Sequence, residues 1–407
     1  MALTCTSSAK ALAILAAVSC SFPVSAVAGE WSGNVAVEGI WFPNDGSFPG
    51  QTNGGVSISA QPEFRHRWAD GDRSFTFIPF GRLDSQDERR THADIRELLF
   101  LAVEGDGDWE LRAGLGRVFW GVTESQHLVN VINQIDYVED FFGEVLLGQP
   151  MVRLTRVVDT GALDVFILPG FRERTYPGEA GRFRPPLLVD TDQASYEAGS
   201  GQRHVDWSVR WSQYAGNVDY GIYWFDGTSR DPQLLPGTDS GEPVLLPYYP
   251  LIRQAGLDAQ YTGEAWLWKL ETIYRDYKDS RWRDFGAAVG GFEYTLVGIN
   301  DSPSDLGLLL EYHWDSRGKD ADRVFQNDLF AGMRYTPNDI ASTEVLAGLF
   351  WDIDYQAPSM RVEASRRFGD NLKVNLEAQW FGPAPDDDAL SFFRNDDYVQ
   401  LEVARYF

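Results

Sequence analysis

The stretch Val205-Asp206-Trp207-Ser208-Val209-Arg210-Trp211-Ser212 carries an apolar side chain at every odd position and a polar one at every even position. Successive side chains of a β-strand point to opposite faces, so the octet has one wholly apolar face and one wholly polar face. A helix would scatter both sets around its circumference. The same alternation recurs. Trp266, Trp268, Leu270 and Tyr274 oppose Lys269, Glu271 and Arg275; Leu306, Leu308, Leu310, Tyr312 and Trp314 oppose Glu311, His313 and Asp315; Leu372, Val374, Leu376, Ala378 and Trp380 oppose Lys373, Asn375, Glu377 and Gln379. Eighteen such segments begin near residues 31, 55, 74, 93, 109, 151, 162, 205, 218, 254, 265, 286, 306, 328, 342, 359, 371 and 397.

The connections alternate in length. Short turns such as Gly105 to Asp108, Ala215 to Asn217 and Phe368 to Asn371 follow even-numbered segments. Long loops, including Pro43 to Gly54, Gly121 to Pro150, Arg174 to His204, Gly227 to Leu251, Asp315 to Gln326 and Gly382 to Asp396, follow odd-numbered ones. Aromatics gather towards the ends of the apolar faces. These features predict an all-β fold: a closed antiparallel transmembrane β-barrel of about 18 strands, with short periplasmic turns and long extracellular loops. One connection, near Asp354 to Ser359, is short where a long one is expected, so sixteen strands stays open.

Composition agrees. Among 407 residues there are 35 Lys and Arg against 60 Asp and Glu, a formal charge of −25, which argues against a nucleic-acid partner. The chain holds 14 Trp, 17 Tyr and 25 Phe, yet 23% of it is charged. The opening residues hold Lys10, the apolar run Ala11-Leu12-Ala13-Ile14-Leu15-Ala16-Ala17-Val18 and the triplet Ala26-Val27-Ala28. This predicts a cleaved export signal over residues 1–28, followed by a single barrel domain over 29–407. The only two cysteines, Cys5 and Cys20, fall inside that signal, so no disulfide or thiolate chemistry is expected downstream.

The last strand, Tyr398-Val399-Gln400-Leu401-Glu402-Val403-Ala404-Arg405-Tyr406-Phe407, ends on Phe407 with Val403, Leu401 and Val399 at alternate positions before it. It resembles the C-terminal assembly signal of Gram-negative outer-membrane barrels. Arg405 departs from that pattern, its position being normally apolar. A second likeness lies in Gly116-Arg117-Val118-Phe119-Trp120-Gly121 followed by Val131-Ile132-Asn133-Gln134-Ile135-Asp136, which is similar to porin-like outer-membrane proteins of proteobacteria with no assigned function. The resemblance implies a bacterial outer-membrane location, contacts with lipid and lipopolysaccharide, insertion by the barrel-assembly machinery, passage of small solutes, and a homotrimer as one assembly.

The candidate site is the third long connection. Between Val122 and Pro150 it carries Glu124, Asp136, Glu139, Asp140 and Glu144 and no Lys or Arg. Leu128, Ile132, Ile135, Val138, Phe142 and Val145 recur at helical spacing, which predicts a short amphipathic helix folded into the lumen as a constriction, the alternative being a solvated surface loop. On the early strands, parity against Ile58, Phe64, Phe75, Phe77, Leu99 and Leu111 places Arg65, Arg67, Arg82, Arg96 and Arg112 in the lumen. Such a band opposite an acidic loop would set a transverse field across the pore. The competing reading pairs these arginines with Glu63, Asp84, Asp94 and Glu110.

No G-x-S-x-G or H-E-x-x-H motif occurs, so no catalytic residue is expected. Among His66, His92, His127, His204 and His313, His313 lies on a polar face beside Glu311 and Asp315, which could orient it as a base, and a hydrogen-bonded wall residue is the simpler account. No cofactor is implied, and the acid clusters Asp190 to Asp192 and Asp386 to Asp388 read as solvated runs rather than metal sites. The expected function is a porin-like channel for small hydrophilic solutes with a mild cation preference. The alternatives are a substrate-specific transporter or exporter for an organic compound, for which the apolar loop segments Pro185-Pro186-Leu187-Leu188 and Leu245-Leu246-Pro247-Tyr248-Tyr249-Pro250 would plug, bind or contact one another, and an adhesive or structural barrel.

Overall fold

A computed structural model describes residues 29–407, so the expected export signal lies outside the described residues. The strands are β1 (Glu30–Trp41), β2 (Gly54–Trp68), β3 (Arg73–Asp84), β4 (His92–Glu104), β5 (Trp109–Gly116), β6 (Gln149–Val158), β7 (Gly161–Pro169), β8 (Ser195–Tyr196), β9 (Val205–Ala215), β10 (Val218–Thr228), β11 (Gln233–Asp239), β12 (Glu242–Tyr249), β13 (Leu251–Thr262), β14 (Trp266–Tyr277), β15 (Phe285–Leu296), β16 (Asp305–Asp315), β17 (Asn327–Thr336), β18 (Glu344–Asp352), β19 (Pro358–Phe368), β20 (Leu372–Phe381) and β21 (Tyr398–Tyr406). Eighteen of them form one antiparallel sheet, and β8, β11 and β12 form a separate small one.

The large sheet closes on itself. Strand β1 pairs with β2 on one side and with β21 on the other, in register from Asn34 opposite Tyr406 to Trp41 opposite Val399. Gly33 and the terminal Phe407 exchange both backbone hydrogen bonds, at 3.2 and 3.1 Å, and so extend the seam to the last residue. Closure is what hydrocarbon demands, because each unpaired backbone group at a free edge would cost several kcal/mol there. The count is eighteen. The short connection 353–357 is a tight hairpin, with β18 and β19 pairing from Trp351 opposite Pro358 to Glu344 opposite Ser365.

The apolar faces point outwards. Eleven of the 14 Trp are exposed, and they fall in two belts: Trp31, Trp68, Trp109, Trp266 and Trp268 at the short-turn end, and Trp41, Trp207, Trp224, Trp314, Trp351 and Trp380 at the long-loop end. These are the levels at which indole rings meet the two membrane interfaces. Val399, Leu401, Val403 and Phe407 all lie on the same outer face. Inside are buried polar groups such as Asp206, Ser208, Arg210, Gln254, Asp258, Glu271 and Arg275.

Strict parity fails at one place. The β3–β4 ladder shifts register between Ile78 and Pro79, whose partners are Glu97 and Ile95, so Arg96 is an extra residue in β4. Pro79 has no N–H to continue the ladder, and the bulge follows from that. Beyond it Leu99 does not face lipid: it pairs with Gly114, and its Cδ1 would lie 3.2 Å from a Cβ on Gly116, beside the buried Met151.

The long loops interlock at their end of the barrel. Leu245 N donates to Leu188 O at 2.8 Å and Asp190 N to Leu245 O at 2.9 Å, so the two apolar loop segments contact one another. Arg182, only 3% exposed, bonds Asp396 at 2.6 Å and the carbonyls of Asn44 and Thr52, tying three loops together.

Leu270 is exposed near the middle of β14. Leu270→Arg is expected to lower stability in lipid vesicles by about 2–4 kcal/mol, whereas Glu264→Arg in the adjacent short turn changes it by less than about 1 kcal/mol. Urea unfolding of both variants in the same vesicles checks this.

Candidate functional site

The connection 117–148 leaves the top of β5 and lies inside the barrel. Its acids have no basic partner within the loop, and the barrel wall supplies them. Asp136, fully buried, accepts from Arg96 at 2.6 Å; Glu139 meets Arg82 at 2.9 Å; Glu124 meets Arg334 at 2.6 Å and Lys269 at 3.6 Å; Glu144 lies 3.4 Å from Arg361. Asp140 accepts from the Glu144 backbone N–H at 2.5 Å. Burial alone would raise the Asp136 carboxyl, but the nearby His92 ring, the Arg96 charge and the Thr175 hydroxyl, which donates to it at 2.7 Å, outweigh that and hold it below the usual carboxylate range.

The five arginines thus separate into two groups. Arg82 and Arg96, 7% and 1% exposed, are bound directly to the loop and to Glu38 and Asp94 as well. They meet the loop acids in direct ion pairs rather than facing them across open water. Arg65 pairs with Glu63 and Arg112 with Glu110, both at 2.7 Å, and Arg67 is exposed near the short-turn end.

The loop is not a helix. A helix would spend its amide hydrogens on its own carbonyls, and here the far wall claims them. Glu271 of β14, fully buried, accepts from Val122 N at 2.7 Å, Thr123 N at 2.9 Å, Thr123 Oγ1 at 2.7 Å and Val129 N at 3.1 Å. Glu311 of β16 accepts from Glu124 N at 2.8 Å, Ser125 N at 2.9 Å and the Ser125 hydroxyl. Neither residue is distinguishable by sequence from any other inward-facing acid. The apolar loop residues Leu128, Val129, Val131 and Ile132 pack against wall residues including Phe166, Tyr223, Phe225 and Ile252.

The motif residues of the loop gain roles here. Trp120 is buried against Phe166 and Tyr223 with Arg210 over its ring at 4.8 Å, and Arg117 pairs with Glu97 at 3.1 Å. A Cβ on Gly121 would come 2.4 Å from the His127 ring. Asn133 pins the loop base by donating to Gly116 O and Leu147 O at 2.8 Å while accepting from Val118 N at 2.9 Å.

His313, 1% exposed, is part of the same clamp: Nε2 lies 2.8 Å from Ser125 Oγ and Nδ1 3.2 Å from Gln126 Oε1. No carboxylate stands behind its Nδ1 to orient it as a base, and Asp315 bonds Arg317 instead. His204 bonds Asp206, His66 stacks on Trp68, and the His127 ring meets Phe119. Asp190 and Asp388 cap short 3₁₀ turns, and Asp386 pairs with Arg394.

Two cavities flank the loop. One, of about 490 Å³, lies against β17–β20; the other, of about 440 Å³, lies against residues of β2–β4, and Glu144 and Leu146 line both. Glu144 is half exposed to this space yet enclosed by the barrel. Burial pushes its carboxyl up to about 7; Arg361 opposes that, and Asp140, Glu363 and Glu377 reinforce it. Across the larger cavity Asp231 receives Arg174 and Arg275 at 2.8 Å and Arg323 at 3.0 Å. Those three charges overcome burial and hold its carboxyl well below the usual range.

Glu271→Gln removes the charge and turns an amide donor towards loop N–H groups. The expected result is a loss of about 2–3 kcal/mol in stability and a noisier single-channel current as the loop loosens. Glu110→Gln, at an exposed wall pair, is expected to leave both unchanged; thermal unfolding and bilayer recordings read the two effects.

No family model matches the chain, and no curated protein does. Among solved structures it is similar to variants of the Rhodopseudomonas blastica porin. One is 13% identical over 93% of this chain and 100% of that one, with a TM-score of 0.45; another, a triple mutant, is 11% identical over the same shares with a TM-score of 0.42. A structure titled "Asymmetric conductivity of engineered proteins" gives 12% identity and 0.44 over the same shares. At those scores the likeness adds nothing to what the strand register already establishes.

Proposed function

We propose that this protein is an outer-membrane channel of porin type that passes small hydrophilic solutes and prefers cations. The observation that carries this reading is a closed eighteen-strand barrel with a cavity on each face of its internal loop, Glu144 and Leu146 lining both. A barrel of eighteen strands encloses a lumen wider than its own side chains fill, unlike one of about eight. Its apolar, Trp-belted exterior suits a bilayer, with the short turns and both termini on the periplasmic side.

The sign of selectivity follows from the charge beside the path. Arg334 is surrounded by Glu124, Glu293 and Glu344, and Arg361 by Glu144, Glu363 and Glu377. Each arginine therefore leaves a negative surplus, in a narrow space where walls of low dielectric focus the field. Lipopolysaccharide contacts, delivery by the barrel-assembly machinery and a homotrimer belong to the same reading. A substrate-specific transporter is the second one, favoured by the aromatic side chains that line the larger cavity.

The test is reversal potential under a salt gradient in planar bilayers. Since Glu144 gains its charge as pH rises through about 7, cation preference is expected to increase from about pH 6 to about pH 8. Glu144→Gln is expected to lower the preference at the higher pH and flatten that dependence. Anion selectivity in the unmodified protein, or a barrel that never conducts, would refute the reading.

A further inference from the structure

The wall behind the larger cavity is layered by strand register. Phe330, Phe350, Ser359 and Phe381 form one inward row across β17–β20; Gly332, Gly348, Arg361 and Gln379 form the next; Arg334, Leu346, Glu363 and Glu377 form the third. An aromatic layer and an acid-bearing layer thus flank the row of Gly332, Gly348, Arg361 and Gln379. The glycines between them are required, since a Cβ on Gly348 would come 2.2 Å from the Phe330 ring.

Arg361 shows the chemistry this wall favours. Its guanidinium sits 4.1 Å from the Phe142 ring centroid while three carboxylates surround it. Three carboxylates against one cation leave a negative surplus, which grows as Glu144 ionises. Gln379 adds a further acceptor: it is 4% exposed, lines the cavity, and its Oε1 has no hydrogen-bond partner. The amide is held in this sense because its Nε2 donates to Trp380 O at 3.3 Å, where an oxygen would be repelled. A buried acceptor without a donor is costly, and a ligand N–H would satisfy it.

We propose that this slot is a binding site for organic cations that join an ammonium or amidinium group to an aromatic or apolar body, the cationic group meeting Glu363 and Gln379 and the body lying on Phe142 and Phe350. The inference rests on the channel reading and names the solute class for which that path is built. The volume of about 490 Å³ fits a small organic molecule, for which sites of about 300–1,000 Å³ are usual. An organic acid is the competing occupant, because Arg174, Arg275 and Arg323 converge on the single carboxylate of Asp231 across the cavity and leave a positive surplus there, and probes of opposite charge tell the two ends apart.

The experiment is calorimetric titration of the folded, detergent-solubilised barrel with three matched probes: 2-phenylethylammonium, 2-phenylethanol and 3-phenylpropanoate. The cation is expected to bind about tenfold more tightly than the alcohol, with the acid weakest. Glu363→Gln and Phe142→Leu are each expected to weaken cation binding about fivefold to tenfold. Gln379→Met removes the unpartnered acceptor, so it is expected to fold at least as well as the parent, checked by circular dichroism, and to weaken cation binding. Equal affinity for the three probes, preference for the acid, or an unchanged affinity in the folded Gln379→Met variant would overturn the proposal. The titration needs no open channel, so a silent barrel that binds the cation refutes conduction alone, and a conducting barrel that does not bind it refutes this site alone.

Discussion

The arrangement of the lumen depends on two buried carboxylates. Glu271 and Glu311 stand on the wall across from the strand that launches the internal loop, and between them they accept five backbone N–H groups and two hydroxyls of that loop. A buried carboxylate is costly unless its oxygens are satisfied, and a loop crossing a lumen is costly unless its amides are. Each requirement meets the other here. On the near wall the polarity is reversed, with Arg82 and Arg96 accepting the charge of Glu139 and Asp136. The loop is thus held by its backbone on one side and by its side chains on the other.

That division explains why the loop has no regular structure despite its helical spacing of apolar residues. Helix formation fixes several residues for the first hydrogen bond and is marginal in short segments without outside support. Here outside support exists, but it is offered to individual amides in an irregular order, so the backbone follows the wall. The apolar residues still do what their periodicity suggested, since Leu128 and Ile132 pack on the barrel interior; they do so from an extended, turning chain.

The barrel itself was legible because period two, turn chemistry and alternating loop length all state the same thing at eighteen places. Every strand onset expected from the sequence falls within three residues of the observed one. Parity misled at Leu99, where a proline on the neighbouring strand shifts the register; Pro79 is visible in the sequence, but its partner across the sheet is not. The composition of the loop pointed to a special segment, yet the sequence could not say what would neutralise Glu124, Asp136 and Glu139, because their partners Arg334, Arg96 and Arg82 come from three different strands. Glu271 and Glu311 look like every other lumen acid until the loop is seen to reach them.

The excess of acids over bases, visible at once in the composition, gains meaning only from where it falls. On β3 and β4, Arg82 and Arg96 are held by Glu38, Glu139, Asp94 and Asp136, whose side chains are at most 11% exposed, so charge there serves cohesion. Around Arg334 and Arg361 the surrounding acids include Glu144, Glu344 and Glu363, which remain between 39% and 52% exposed at their side chains. Those are the carboxylates that solvent can reach. One acidic composition therefore does two jobs, and the difference between them is set by whether the loop covers the carboxylate or leaves it facing the path.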